Sequence, residues 1–309
     1  MTETIGFLGP HGTFTQAAVA QMSSVHGADA IPVESVDAVI NGVASGDLDG
    51  GVVPIENSLE GPVVSTIHAL VAASESLVIV EEYEASVRFC LMAKPGTTVM
   101  DVKDVATIPI AAAQCAAWIK QNLPNAHLVP TPSTAGAAKQ LAEEPSAPFN
   151  AAIGPINAAD LYNLEVLADD IGDSDASTRF VLIRKAAAPP PPTGKDKTTL
   201  VLFIRADHSG ALLEILTEFA VRGVNLTRIE SRPTRKRLDD YYFSVDCEGH
   251  VADARVGEAL MGLRRVCADV RYFGSYPRHD GREAHVLPGT TDADYADAAA
   301  WVRHIRNDG

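Results

Sequence analysis

Positive charge is missing from the first 87 residues: no lysine or arginine precedes Arg88, although that stretch carries twelve aspartates and glutamates. An anionic ligand bound there must be held mainly by backbone N–H groups and hydroxyls, or by a cation delivered from later in the chain. The net charge of the whole chain is −15, which excludes nonspecific attraction to nucleic acid or to anionic membrane. Only four cysteines occur, Cys90, Cys115, Cys247 and Cys267, with no CxxC pair and no histidine at metal-ligand spacing. They are expected to be reduced core thiols of a cytoplasmic protein. No apolar run approaches the ~18 residues that cross a bilayer. Met1-Thr2-Glu3-Thr4 shows no basic segment leading into an apolar stretch, so no secretory signal is expected.

What is present describes a folded chain. With 309 residues, 46% of them hydrophobic and 21% charged, there is material for roughly two or three cored domains. One boundary is plain, the proline run Pro189-Pro190-Pro191-Pro192 before Thr193-Gly194, an extended and semi-rigid spacer. Before it, strand and helix signals alternate. Strands are expected over 4–8, 51–55, 76–80, 88–93 and 151–154, and helices over 15–22, 63–73, 111–121 and 134–142. Such alternation implies a largely parallel α/β sheet that binds ligands beyond its strand ends. After the spacer the order becomes β-α-β-β-α-β: strand 198–205, helix 209–222, strands 225–231 and 240–246 joined by a basic loop over 232–237, helix 253–266 and strand 269–276. That is the ferredoxin-like order. The polar tail leaves room for a helix over 292–305 with Tyr295, Trp301, Val302 and Ile305 partly on one face.

Three segments before the spacer suit an anionic ligand. Gly9-Pro10-His11-Gly12-Thr13-Phe14-Thr15 follows a strand and opens a helix, presenting N–H groups and hydroxyls at a positive dipole end. Glu56-Asn57-Ser58, within Pro54–Gly61, puts a carboxylate, an amide and a hydroxyl in succession just beyond a strand. Ser177-Thr178-Arg179-Phe180 enters an apolar strand. Taken singly, each has an ordinary reading. Thr13 or Thr15 can cap a helix, Asn57 can make a turn, and Thr178-Arg179 can be an exposed strand start.

Together they resemble the prephenate dehydratase family, which is recognised by a GPxGTFT-like segment (Gly9–Thr15), a PIENSxxG segment (Pro54–Gly61) and a Thr-Arg-Phe segment (Thr178–Phe180). Gln114-Cys115 with Trp118, Ala151–Ile153, and Ala158 to Leu164 follow the same pattern, so that the resemblance spans residues 4 to 279. Two positions depart from it. Ile108-Pro109 stands where members often carry His-Pro, and Ala176 where many have asparagine. The region after the spacer resembles an ACT domain, through Asp207-His208-Ser209-Gly210-Ala211-Leu212, Gly223-Val224-Asn225-Leu226-Thr227 and Glu230-Ser231-Arg232-Pro233.

The resemblance implies an α/β fold: a catalytic region over 1–185 whose two lobes resemble type II periplasmic binding proteins, with the cleft between them. A Pro-rich linker over 186–197, a ferredoxin-like ACT domain over 198–279 and a polar tail over 280–309 without assigned role complete the chain. It implies conversion of prephenate to phenylpyruvate, allosterically inhibited by L-phenylalanine, in a homodimer or homotetramer, with no cofactor or metal. Thr178 is then expected to meet the leaving hydroxyl, Arg179 a substrate carboxylate, and Phe180 the ring. Asn57, Ser58 and Thr13 would add neutral donors. Glu56 is either a proton donor with a raised pKa or, as favoured, a structural or polarising carboxylate. Phenylalanine is expected near Ser209, Gly210, Ala211, Leu212, Asn225, Leu226, Glu230, Ser231, Arg232 and Pro233, between two ACT domains. Two other readings stay open, an arogenate dehydratase and a non-catalytic amino-acid sensor.

Overall fold

A computed structural model describes residues 2–73, 77–205, 208–234 and 241–308. The chain divides into two compact units, Met1–Ala69 with Tyr83–Leu182, and Leu70–Glu82 with Ile183–Gly309. Elements are numbered in chain order.

Two sheets build the first lobe and the second. The first holds β1 (Thr4–Leu8), β2 (Asp29–Val33), β3 (Gly50–Asn57), the short β4 (Gly61–Pro62), β5 (Leu77–Val87) and β11 (Ala176–Lys185), in the order β2-β1-β3-β11-β5 with β4 beside β3. With it go α1 (Phe14–Gln21), α2 (Val36–Ser45) and α3 (Val64–Ala72). β1 runs parallel to both β2 and β3, as strands joined by helices must. Ser35 starts α2 by accepting the Ala38 N–H on its Oγ at 3.1 Å, and left-handed Gly46 ends it. Ile5, Phe7, Val52, Val53 and Ile55 are fully buried, and α2 packs closely on the sheet because Gly51 leaves room for Val39 and Val43.

The second lobe holds β6 (Cys90–Ala93), β7 (Asp104–Thr107), β8 (His127–Pro130), β9 (Ala151–Gly154) and β10 (Glu165–Ala168), ordered β10-β6-β9-β7-β8. Its helices are α4 (Pro109–Gln114), α5 (Ala116–Asn122), α6 (Thr134–Glu143) and α7 (Ile156–Leu161). Period-2 burial explains its all-apolar strands. Leu91, Ala93, Ala151 and Ile153 pack on one face with Ala111, Cys115 and Ile119. Cys90, Met92 and Ala152 pack on the other with Ala135, Ala138 and Leu141. The expectation of a largely parallel sheet holds for β7 with β8 and β9, whereas β6 runs antiparallel to both β9 and β10. The single helix expected over 111–121 is two, broken at Cys115. The break has a cause: Asp173 accepts the N–H groups of Ala117 at 2.8 Å and Trp118 at 3.2 Å, capping α5 afresh.

The second unit contains β12 (Asp196–Phe203), α8 (Ala211–Ala220), β13 (Leu226–Pro233), β14 (Tyr241–Glu248), α9 (Ala254–Val266) and β15 (Asp269–Pro277). Its sheet, β13-β14-β12-β15, is antiparallel throughout, the ferredoxin-like arrangement. Leu200, Leu202, Val245 and Cys247 face Ile215, Phe219, Val256 and Leu263 of the two helices. A buried ion pair, Arg228 with Asp246, makes two hydrogen bonds at 2.9 and 3.1 Å. Residues 70–82 belong to this unit, and at their end Lys197 Nζ donates to both Glu82 oxygens at 2.9 and 2.8 Å while the His279 N–H donates to Glu82 Oε1 at 3.0 Å. The tail helix α10 (Asp292–Asp308) outruns its expected length, and Asp292 ties it to α9 by accepting the Ala254 N–H. Tyr295 and Val302 are half-buried while Trp301 and Ile305 face solvent, so those four do not share one covered face. Ser76, Asp207, Asp240 and the loop over 235–237, named in the sequence reading, lie outside the described residues. Among the described residues no helix is long and apolar enough to cross a membrane.

All four cysteines are free and buried. Desolvation pushes Cys90, Cys115 and Cys247 up to about 12 and Cys267 to about 11, so none is a thiolate at pH 8. Ellman's reagent at that pH is expected to leave native protein unmodified and to count four thiols after denaturation. Rapid labelling of the folded chain would contradict this burial. Glu82→Leu strands the buried Lys197 ammonium and is expected to cost about 3–5 kcal/mol, with Glu82→Leu/Lys197→Met costing clearly less. Urea unfolding of the three proteins reads both.

Candidate active site

The end of β1 delivers the first wall of a cleft between the lobes. After Leu8 the chain turns through Gly9–Gly12, and Thr13 caps α1 by accepting the Gln16 N–H at 3.3 Å while donating to the Leu8 carbonyl at 3.2 Å. Gly12 has φ +83°, and a Cβ there would come 3.1 Å from the Ala158 Cα of α7. Glycine is therefore required where the second lobe approaches. The lobes are stitched at the same place. Asn157 Nδ2 donates to the Thr13 carbonyl at 3.1 Å, and the Tyr162 hydroxyl to the His11 carbonyl at 3.2 Å.

The end of β3 delivers the second wall. Asn57 Oδ1 accepts the N–H groups of Leu59 at 2.9 Å and Glu60 at 3.0 Å, an Asx turn that fixes which end of the amide points where. Its Nδ2 therefore faces β11, and it donates to Thr178 Oγ1 at 2.9 Å. The Thr178 oxygen is an acceptor in that bond, which leaves its hydroxyl hydrogen for another partner. Thr178 and Phe180, alternate residues of β11, both line a cavity of about 790 Å³. Thr13, Phe14, Ile108, Ser133 and Thr134 line it too, so both lobes contribute.

Among the described residues no lysine or arginine lines the cavity, which has one carboxylate, Glu34, and two helix starts. Thr13 caps α1 from the first lobe, and Ser133 caps α6 from the second by accepting the Gly136 N–H at 3.2 Å. Two positive dipole ends at one cavity can hold two carboxylates without a cation. Arg179, the cation expected for that task, is 8% exposed, and its Nε lies 3.5 Å from Glu56 Oε2. Ser58 turns elsewhere: its Oγ accepts the Ser177 N–H and its N–H donates to the Ser177 carbonyl, both at 2.9 Å. It lines a second, polar cavity of about 680 Å³ with Ser86, Arg88 and Ser177.

The structure thus brings Thr13, Thr178 and Phe180 to one cavity, with Asn57 behind Thr178, and sets Ser58, Glu56 and Arg179 to hold strands together. Sequence reasoning missed Phe14, Ser133 and Thr134. A serine just before the helix expected at 134 was the available signal. Ile108, noted only as a departure from the family pattern, lines the cleft. Among the described residues no cluster of His, Cys, Asp and Glu could hold a metal ion.

In the second unit a cavity of about 300 Å³ is lined by Gly210, Ala211, Leu212 and Ser231, with His208, Tyr241 and Phe243. Gly210 opens α8 at φ +98°, a conformation suited to glycine. Ser209, Asn225, Leu226, Glu230, Arg232 and Pro233 are not among its lining residues; Glu230 is engaged by Arg228 at 2.7 Å and by Arg232 at 3.5 Å.

Comparison with known proteins gives the family. Residues 5–188 match the family described as prephenate dehydratase, and residues 198–265 match the ACT domain. A protein of Mycobacterium ulcerans named prephenate dehydratase is 43% identical over 98% of this chain and 95% of its own length. The structure of prephenate dehydratase from Arthrobacter aurescens in complex with L-Phe is 48% identical, with a TM-score of 0.92 over 98% of this chain and 99% of that one. A structure named GqqA, a quorum quenching acylase, is 30% identical with a TM-score of 0.79 over 92% of this chain and 98% of that chain.

Proposed function

The chain belongs to the prephenate dehydratase family and carries an ACT domain, and we propose that Thr178 drives departure of the hydroxyl from prephenate. The enzyme is a carbon–oxygen lyase of phenylalanine biosynthesis. In the reaction the ring carboxylate leaves as carbon dioxide, and its electron pair enters the ring as the C–OH bond breaks. The departing hydroxide must gain a proton to leave as water. The Asn57 to Thr178 hydrogen bond at 2.9 Å carries the proposal. With its oxygen already accepting from Asn57, the threonine hydroxyl is set to donate. A threonine is too weak an acid to act alone, so it donates a hydrogen bond or relays a proton, and such assistance is worth about 10²–10⁴-fold.

The starts of α1 and α6 hold the two carboxylates in this reading, and Phe180 and Phe14 wall the ring. Arg179, paired with Glu56, is kept behind the reacting centre, where it organises β11 and tempers the field in the cleft. Residues 1–185 then form the catalytic region, 186–197 the linker and 198–279 the sensor, in a cytoplasmic homodimer or homotetramer. L-phenylalanine is the effector, held near Gly210, Ala211, Leu212 and Ser231 where a second ACT domain completes the site. The relative solved with L-Phe supports that assignment, as does the exposure of Leu212 and Leu213 beside the cavity.

Phenylpyruvate formation from prephenate by purified protein, with and without phenylalanine, tests both halves. Thr178→Val is expected to lower kcat by about 10²-fold or more, while Thr178→Ser keeps most of it. Near-normal turnover by Thr178→Val, with Glu56→Gln inactive yet folded, would reverse the assignment. Gly210→Val is expected to blunt inhibition by phenylalanine and leave uninhibited turnover largely intact. Loss of both together would count against the sensor site.

A further inference from the structure

The strand that carries Thr178 is held from behind on both sides. β11 lies between β3 and β5, and side chains alternate across a strand. Thr178 and Phe180 line the larger cavity, whereas Ser177 lines the polar one on the other side. There Ser177 Oγ donates to Glu84 Oε1 of β5 at 2.5 Å, and Arg179 Nε lies 3.5 Å from Glu56 Oε2 of β3. The neighbours of Thr178 on each side are therefore each fixed to a carboxylate, one on each adjoining strand.

The Ser177 contact is the tighter of the two, at the short end for a hydroxyl on a carboxylate. Its backbone is fixed as well, since its N–H and carbonyl both bond to Ser58, each at 2.9 Å. Ser58 directly follows Asn57, whose amide meets Thr178. Ser177, Ser58 and Glu84 thus set the distance between the two groups that meet in the cleft. We infer that Glu84 and Ser177 are positioning residues that hold the Thr178 hydroxyl on the Asn57 amide. Neither lines the catalytic cavity, so they act through Thr178. Glu84 is exposed, so the bond adds little to global stability. Its value lies in registration, where a displacement of about 1 Å costs up to about 10²-fold in rate. The inference rests on the reading of Thr178 given above.

The test compares wild type with Glu84→Ala, Ser177→Ala, the double variant and Ser177→Thr, all full length, by steady-state kinetics and urea unfolding. Each alanine is expected to lower kcat about tenfold with KM within about twofold. The double variant should be no slower than the slower single, because all three lack the same bond. Ser177→Thr keeps the hydroxyl and should recover most of kcat, with unfolding midpoints unchanged throughout. Unchanged kcat in Glu84→Ala, losses that multiply in the double variant, or Ser177→Thr as slow as Ser177→Ala would overturn the inference. Wild-type protein that leaves prephenate intact, or Thr178→Val as fast as wild type, would instead remove the reading beneath it.

Discussion

Asn57 and Thr178 stand 121 residues apart in the chain, and their hydrogen bond depends on β11 returning to the first lobe between β3 and β5. The chain leaves that lobe after β5, builds an entire second lobe, and comes back along β11. Because the returning strand is central in its sheet, both of its edges are occupied, and its two faces carry different tasks. One face gives the cleft a hydroxyl and a ring. The other meets carboxylates from the strands on either side. Movement of β11 would disturb both at once, so the position of Thr178 is as rigid as the sheet itself.

A chain with a net charge of −15 must handle a doubly charged substrate under repulsion. In the proposed reading the cleft answers with backbone dipoles. Thr13 and Ser133 each cap a helix, and the free N–H groups of those first turns are fixed donors that bring no counter-ion to be stripped away. Arg179 is buried, and its pairing with Glu56 keeps a charge out of water only where a partner meets it. A lysine in its place would lose the planar geometry that suits a carboxylate.

The second unit repeats the principle of paired burial. Arg228 with Asp246, and Lys197 with Glu82, are buried and hydrogen-bonded, and the first pair is extended by Thr199, Ser244 and Glu230. Such pairs add specificity of arrangement more readily than stability. The second of them joins Glu82 to the unit that otherwise begins at Ile183, to which residues 70–82, from the last turn of α3 into β5, also belong. A boundary placed by the proline run alone does not foresee this, because a spacer marks where the chain is extended and says nothing of which earlier segment packs beyond it.

Local signals determined a good deal by themselves. The β-α-β-β-α-β order, the cap at Thr13, the cluster Glu56-Asn57-Ser58 and the strand through Thr178 to Phe180 were legible because each depends on neighbours in sequence: periodicity, capping and turn chemistry. What the sequence could not decide was direction and pairing. It offered Ser58 and Arg179 as ligand contacts, whereas the fold turns one to Ser177 and the other to Glu56. It gave no reason to notice Glu84, and it showed Phe14 only as part of a motif and Ser133 only as a cap before a helix. A side chain's face follows from strand register and its partner from the sheet order, and both are settled only when segments more than a hundred residues apart compete for the same neighbours.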